Sequence, residues 1–184
     1  SVFGESEVVD EALTYISKTN RLPEWPNKHT TYGYWYLMIL WDWYWYTGKE
    51  ELVWELKNYW KGLTELLISQ VHEDQEELLN EEEFKCGFFI DWPTKGTEEA
   101  KAGTYALFRL ALLSSAKLCE LTGESELQNR CLEVAELLSQ KELPHNNRKQ
   151  IVALMKLAGM LDSETAGAVL TKDGGKGMST FMSY

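Results

Sequence analysis

Histidine, cysteine and proline are scarce in this chain: three, three and four among 184 residues. The cysteines, Cys86, Cys119 and Cys131, are odd in number and form no C-x-x-C pair. A disulfide framework or a thiolate zinc site is therefore excluded as the organising feature, and free buried thiols are expected. His29, His72 and His145 are scattered and no H-E-x-x-H occurs, so no metal site is expected. Positive charge is the minority, with 18 Lys and Arg against 29 Asp and Glu and a net charge of −11. Nucleic acid and anionic lipid are bound through clustered Lys and Arg that displace counterions, so neither is an expected partner. No uncharged apolar window reaches the ~18 residues that a membrane span needs. No G-x-S-x-G is present, and the cysteines lie in helical or apolar surroundings, so no serine or cysteine nucleophile set emerges. No cofactor is expected.

The ends of the sequence carry a further expectation. It begins Ser-Val-Phe, with neither an initiator Met nor a signal peptide, and stops inside the apolar run Thr180-Phe181-Met182-Ser183-Tyr184. Natural termini are usually polar and frayed. Residues 1–184 are therefore read as one partial domain cut from a larger one, and the cellular compartment is unreadable.

Period-2 alternation is almost missing and period-3.6 patterns dominate, which predicts an all-α fold. One motif recurs at the turns. Tyr46-Thr47-Gly48-Lys49-Glu50-Glu51-Leu52 is echoed by Leu121-Thr122-Gly123-Glu124-Ser125-Glu126-Leu127, and more weakly by Met160-Leu161-Asp162-Ser163-Glu164. A Gly just after a helix takes the left-handed conformation that closes it, and acids in the next first turn suit the new helix dipole. The chain then parses into helices near 5–18, 30–47, 49–71, 98–122, 124–140, 147–161 and 163–171, with a last one opening after 178. Between them lie a loop near 19–29, a long loop near 72–97, a short loop with Pro144 and His145 and a Gly-rich loop near 172–178, so that connections alternate, tight then long. Helical hairpins so connected form part of an (α/α)6 barrel, a toroid of inner and outer helices, truncated at both ends. Its unfinished edges would expose apolar surface and cause self-association.

Residues 32–46, YGYWYLMILWDWYWY, hold nine Trp or Tyr in fifteen positions. Apolar residues on both faces predict a helix buried on both sides, so packing accounts for most of the rings. The rings nearest its N-terminus face the long-loop end, where a site belongs. Trp25, His29, Tyr32, Trp35, Asp91, Trp92, His145, Asn146 and the run Lys172 to Lys176 are delivered there.

Gly87-Phe88-Phe89-Ile90-Asp91-Trp92-Pro93 is the sharpest local feature. Phe88, Phe89 and Ile90 plug the loop into the helices and hold Asp91 and Trp92 in place. A carboxylate beside an indole suits sugar binding, because the acid accepts hydroxyl hydrogen bonds and the ring packs on C–H faces. The alternative is Asp91 as a turn cap and Trp92 as loop filler. The acids of Glu73-Asp74-Gln75-Glu76-Glu77 and Glu81-Glu82-Glu83 have no apolar surroundings to raise a pKa, and read as a solvated stretch. Lys172-Asp173-Gly174-Gly175-Lys176-Gly177-Met178-Ser179-Thr180 lacks phosphate-loop spacing and a preceding strand. It reads as a flexible loop in which Ser179 or Thr180 caps the last helix.

These features together resemble the central part of a bacterial α-L-rhamnosidase, a six-hairpin (α/α)6-barrel glycoside hydrolase. The similar stretches are Tyr34-Trp35 through Trp41-Asp42-Trp43-Tyr44 to Tyr46-Thr47-Gly48, then Phe89-Ile90-Asp91-Trp92, Leu143-Pro144-His145-Asn146 with Lys149-Gln150, and Lys172 through Phe181. The resemblance implies inverting hydrolysis of terminal α-L-rhamnosides, with a carbohydrate as substrate. It puts the general acid in an Arg-Asp…Trp-x-Gly-Asp segment upstream, and no Arg-Asp pair occurs here. It puts the general base in a Glu-bearing segment beyond residue 184. This piece then holds no catalytic residue and supplies part of the sugar pocket: Asp91, Trp92, Tyr32, Trp35 and His145. Where the family often has Gly before Asp-Trp, this chain has Ile90. A different (α/α)6 glycosidase, such as a glucuronyl hydrolase, and a non-catalytic α-hairpin module that binds peptide along a concave face remain the alternatives.

Overall fold

Eight α-helices build residues 7–176, the part of the chain that this computed structural model describes. They are α1 (Glu7–Thr19), α2 (Thr30–Thr47), α3 (Glu50–Glu55), α4 (Lys57–Ile68), α5 (Ala100–Thr122), α6 (Ser125–Ser139), α7 (Lys149–Leu157) and α8 (Ser163–Leu170). No strand occurs among the described residues, so the fold is all-α. The helix expected after 178, with its cap at Ser179 or Thr180, lies outside them.

The tight turns are closed by glycine, as expected. Gly48 and Gly123 sit in the left-handed region at φ 70° and 75°. The third turn uses Gly159 at φ 68°, just upstream of the weak echo. The Glu124 N–H reaches back to the Cys119 carbonyl at 2.9 Å and the Met160 N–H to that of Met155 at 2.8 Å, satisfying carbonyls the helix ends would otherwise orphan.

Contacts between helices fix their directions. Tyr34 of α2 stacks on Phe108 of α5, with centroids 4.8 Å apart and an 11° interplanar angle, and Lys117 sits over the Trp41 ring one end further on. Gly103 of α5 abuts Ile151 of α7, and the Arg109 guanidinium donates to the Ala158 carbonyl at the other end of α7. Thus α2, α5 and α7 run side by side in one direction. Helix α4 runs against them: near its start Lys57 Nζ donates to the Thr122 carbonyl at the end of α5 at 3.4 Å, while further on the Thr64 hydroxyl pairs with that of Ser115 at 3.1 Å. Helix α6 packs antiparallel on α5 and touches α4. Helix α5 is the centre of the core, with Phe108, Leu107, Leu112 and Leu118 fully buried. Each such side chain contributes about 1.5–3 kcal/mol by leaving water.

Two expectations are corrected. The helix expected over 49–71 is broken at Leu56, whose φ −89° and ψ 3° leave the helical region. The Trp60 indole N–H donates to the Val53 carbonyl at 3.0 Å, taking an acceptor that a continuous helix would use. Helix α2 is not buried on both sides. Tyr34, Tyr36, Leu37 and Leu40 are buried, but Tyr32, Ile39, Trp45 and Tyr46 are exposed, the last at 83%. The 3.6-residue period places Tyr32, Ile39 and Tyr46 on one stripe that no described helix covers.

The α5–α7 approach gives a direct test. A side chain at Gly103 would put its Cβ 2.6 Å from Ile151 Cδ1 and 2.9 Å from Ile90 Cγ1. Gly103→Val is expected to destabilise the fold by about 1–3 kcal/mol through overpacking. Chemical denaturation followed by circular dichroism checks this, and a midpoint equal to wild type would show that the contact is slack.

Candidate functional site

Parallel packing brings the N-termini of α2, α5 and α7 to one pole, together with the loops before them. None of these three starts carries a side-chain cap hydrogen bond, whereas Asp162 caps α8. The aligned helix starts leave a positive partial charge at this pole, although the Ala100 and Lys101 N–H groups at the start of α5 donate to the Thr97 and Glu98 carbonyls. His29 Nδ1 and Thr30 Oγ1, at the start of α2, are buried there without a hydrogen-bond partner among the described residues.

The 84–94 segment docks on the same pole. Phe88, Phe89 and Ile90 are buried, and Ile90 reaches Gly103. Phe89 then links the two predicted site segments. Its ring lies 4.9 Å from His29 and 5.4 Å, edge-on, from Trp92, while His29 lies 5.4 Å from Tyr32. Trp92 stands 73% exposed and Tyr32 39% exposed. This row of four linked rings, exposed at Tyr32 and Trp92 and buried at Phe89, is the aromatic shelf, with the Lys95 ammonium 5.2 Å from the Trp92 ring.

Asp91 is the cap of the turn that carries Trp92. Its Oδ1 accepts from the Thr94 N–H at 3.0 Å and from the Thr94 hydroxyl at 2.6 Å, and Thr94 Oγ1 accepts in return from the Asp91 N–H at 3.2 Å. This reciprocal box holds the 92–94 helical turn. Of the two roles open from the sequence, the structure displays the cap.

Behind the shelf lies a pair that sequence reasoning missed. Glu99 is only 7% exposed and accepts from the Arg148 guanidinium and, at 3.2 Å, from the Asn146 amide. A second Arg148 nitrogen donates to the Pro93 carbonyl at 3.3 Å. Burial alone would push the Glu99 carboxyl up. Its own backbone N–H, Arg148 and Asn146 outweigh that and hold it below the usual range. In sequence Glu98-Glu99 resembles ordinary first-turn acids; Arg148 lies 49 residues away, so no local pattern signals the pair.

The other expected residues separate. Tyr32 and Trp92 share the shelf. Trp35, one turn along α2, is half-buried against the core. His145 serves the turn into α7, where its Nδ1 accepts from the Asn147 N–H at 3.1 Å and its carbonyl from the Arg148 N–H at 2.9 Å. Among the described residues it makes no ring contact with the shelf. The acidic stretch is exposed, as expected, but several of its acids tether the loop: Glu73 pairs with Arg130, Glu77 with Lys101 and Glu83 with His72. Lys172 to Lys176 gather beside α7, where the Lys149 ammonium donates to the Lys172 and Gly174 carbonyls. Comparison with protein-family models, curated proteins and solved structures returns no match for the chain.

The Glu99 arrangement has a pH signature. A depressed carboxyl pKa stabilises the fold above the ordinary glutamate value of about 4.3, and that contribution disappears as pH falls through the folded value. Glu99→Gln is expected to melt lower than wild type at neutral pH, with the gap closing below about pH 4. Thermal melts across pH read this, and a constant gap would mean that Glu99 is not ionised in the fold.

Proposed function

We propose that this chain supplies a carbohydrate-recognition pole of an (α/α)-barrel glycoside hydrolase of the α-L-rhamnosidase type. The observation that carries the reading is the unbroken chain of ring contacts from Tyr32 through His29 and Phe89 to Trp92, which joins two exposed rings sixty residues apart in sequence near the helix N-termini. An exposed indole on a fixed base suits the C–H face of a pyranose, and the neighbouring Tyr32 and His29 can hydrogen-bond hydroxyls. The capped Asp91 turn aims the indole. The family resemblance adds the sugar class and the inverting chemistry, in which two carboxylates stand about 6.5–9.5 Å apart around the bond and a water. By the same resemblance those carboxylates belong to segments that this sequence does not contain, so its own part is recognition.

A second reading draws on the exposed Tyr32, Ile39 and Tyr46 stripe of α2. It is the surface that an α-hairpin binding module would offer to a peptide, and also the edge through which the chain would self-associate.

Titration with methyl α-L-rhamnopyranoside, followed by tryptophan fluorescence and NMR shifts, separates the two. Saturable binding that weakens roughly tenfold in Trp92→Ala, a change of about 1.4 kcal/mol, is expected. Asp91→Ala should weaken it through loss of the turn, and Asp91→Asn, which keeps an acceptor, should largely restore it. Wild-type chain that does not respond to the rhamnoside, or a Trp92→Ala variant that binds equally well, would remove the sugar reading.

A further inference from the structure

A cavity of about 610 Å³ opens between the start of α7, α8 and the 172–176 segment. Its charged lining is Arg148, Lys149, Lys172 and Lys176 against Glu99 and Asp173. In a chain of net charge −11, four cations facing two carboxylates is a local inversion. Glu99 is already matched by Arg148 and Asn146, which leaves the lysines in excess. Lys172 and Lys176 are exposed and have no ion-pair partner among the described residues.

Lys149 is the decisive group. It is only 6% exposed, yet its ammonium meets two backbone carbonyls and, among the described residues, no carboxylate. Burying an ammonium against dipoles alone is costly, and a counter-charge relieves that cost. The uncapped first turn of α7 opens at the same place and adds N–H donors and a positive partial charge.

We infer that this cavity binds an oxyanion, a carboxylate or phosphate group, between the lysine ammoniums and the start of α7. Divalent cations are disfavoured by the lysines. Nucleic acid is disfavoured by the acidic surface of the rest of the chain. The ligand is therefore a small anion. Arg148, which spans from Glu99 in the cavity to the Pro93 carbonyl of the Trp92 turn, places the anion next to the shelf. One source of the group is free inorganic phosphate; the other is the carboxylate of an acidic sugar, and that source alone rests on the carbohydrate reading.

Calorimetric titration of the full chain in low salt with inorganic phosphate, glucuronate and glucose tests the inference. At least one of the two oxyanions is expected to bind saturably, with glucose as the uncharged control. Affinity should fall about tenfold in the Lys172→Gln/Lys176→Gln variant, whose exposed positions leave the fold intact, and with added salt. Lys149→Met should abolish binding, with circular dichroism reporting whether it folds. A preference for glucuronate assigns the sugar acid, and a preference for phosphate the free ion. If neither oxyanion binds, or if the double lysine variant binds as well as wild type, the inference is overturned. Trp92→Ala should leave phosphate binding unchanged, so loss of the rhamnoside response and loss of anion binding are separable.

Discussion

The close approach at Gly103 sets the geometry on which the rest depends. Without a Cβ there, α5 admits Ile151 of α7 from one side and Ile90 of the 84–94 segment from the other. The first contact aligns the starts of α5 and α7. The second anchors the loop that holds Asp91 and Trp92. Phe89, next in the chain to Ile90, then meets His29 at the start of α2. One missing side chain thus registers three helix starts and one loop, because packed interiors leave no room for an extra group.

Once those starts are aligned, electrostatics follows from chain direction. Helices α2, α5 and α7 begin at the same pole and, among the described residues, none of the three carries a side-chain cap there, so their dipoles add instead of cancelling. Acids lie at both poles: Asp91, Glu99 and Asp173 stand at this one, where Glu99 is matched by Arg148 and Asn146. Glu124 pairs with Lys57 and Lys61 near the opposite end, close to Gly123, and these hydrogen bonds hold its carboxyl down at about 2. An acidic composition and aligned helix dipoles are therefore compatible: the first is a property of composition, the second of topology.

Much of this was legible in the sequence. The Thr-Gly turns marked two helix ends at once, since a left-handed residue after an apolar helix has few other uses. The tight-then-long alternation of connections put Tyr32 and Trp92 at one end. What the sequence could not convey was tertiary competition for backbone partners. The break at Leu56 arises because the Trp60 side chain takes the Val53 carbonyl, and nothing local announces it. Helix α7 begins later than its apolar period suggests because Asn146 and Asn147 adopt left-handed φ of 47° and 55°. The Glu99–Arg148 pair was invisible because each member looks ordinary among its neighbours. The burial of α2 was overstated because composition counts rings without saying which face has a neighbour.

Asp91 shows how a correct location can carry an ambiguous role. Its carboxylate lies at the expected pole, beside the expected indole, yet Oδ1 is engaged by the backbone and hydroxyl of Thr94. A carboxylate spent on a turn has less capacity to accept a sugar hydroxyl, since each accepted bond uses a lone pair. Ring stacking alone discriminates weakly among sugars, because most pyranoses offer a C–H face. Under the proposed carbohydrate reading, selectivity at this pole would come from polar groups other than Asp91. His29 Nδ1 and Thr30 Oγ1, buried there without partners among the described residues, are atoms whose unmet hydrogen-bonding capacity calls for an explanation. Under the same proposed reading, the indole would supply affinity, the Asp91 turn aim, and the first residues of α2 the choice of sugar.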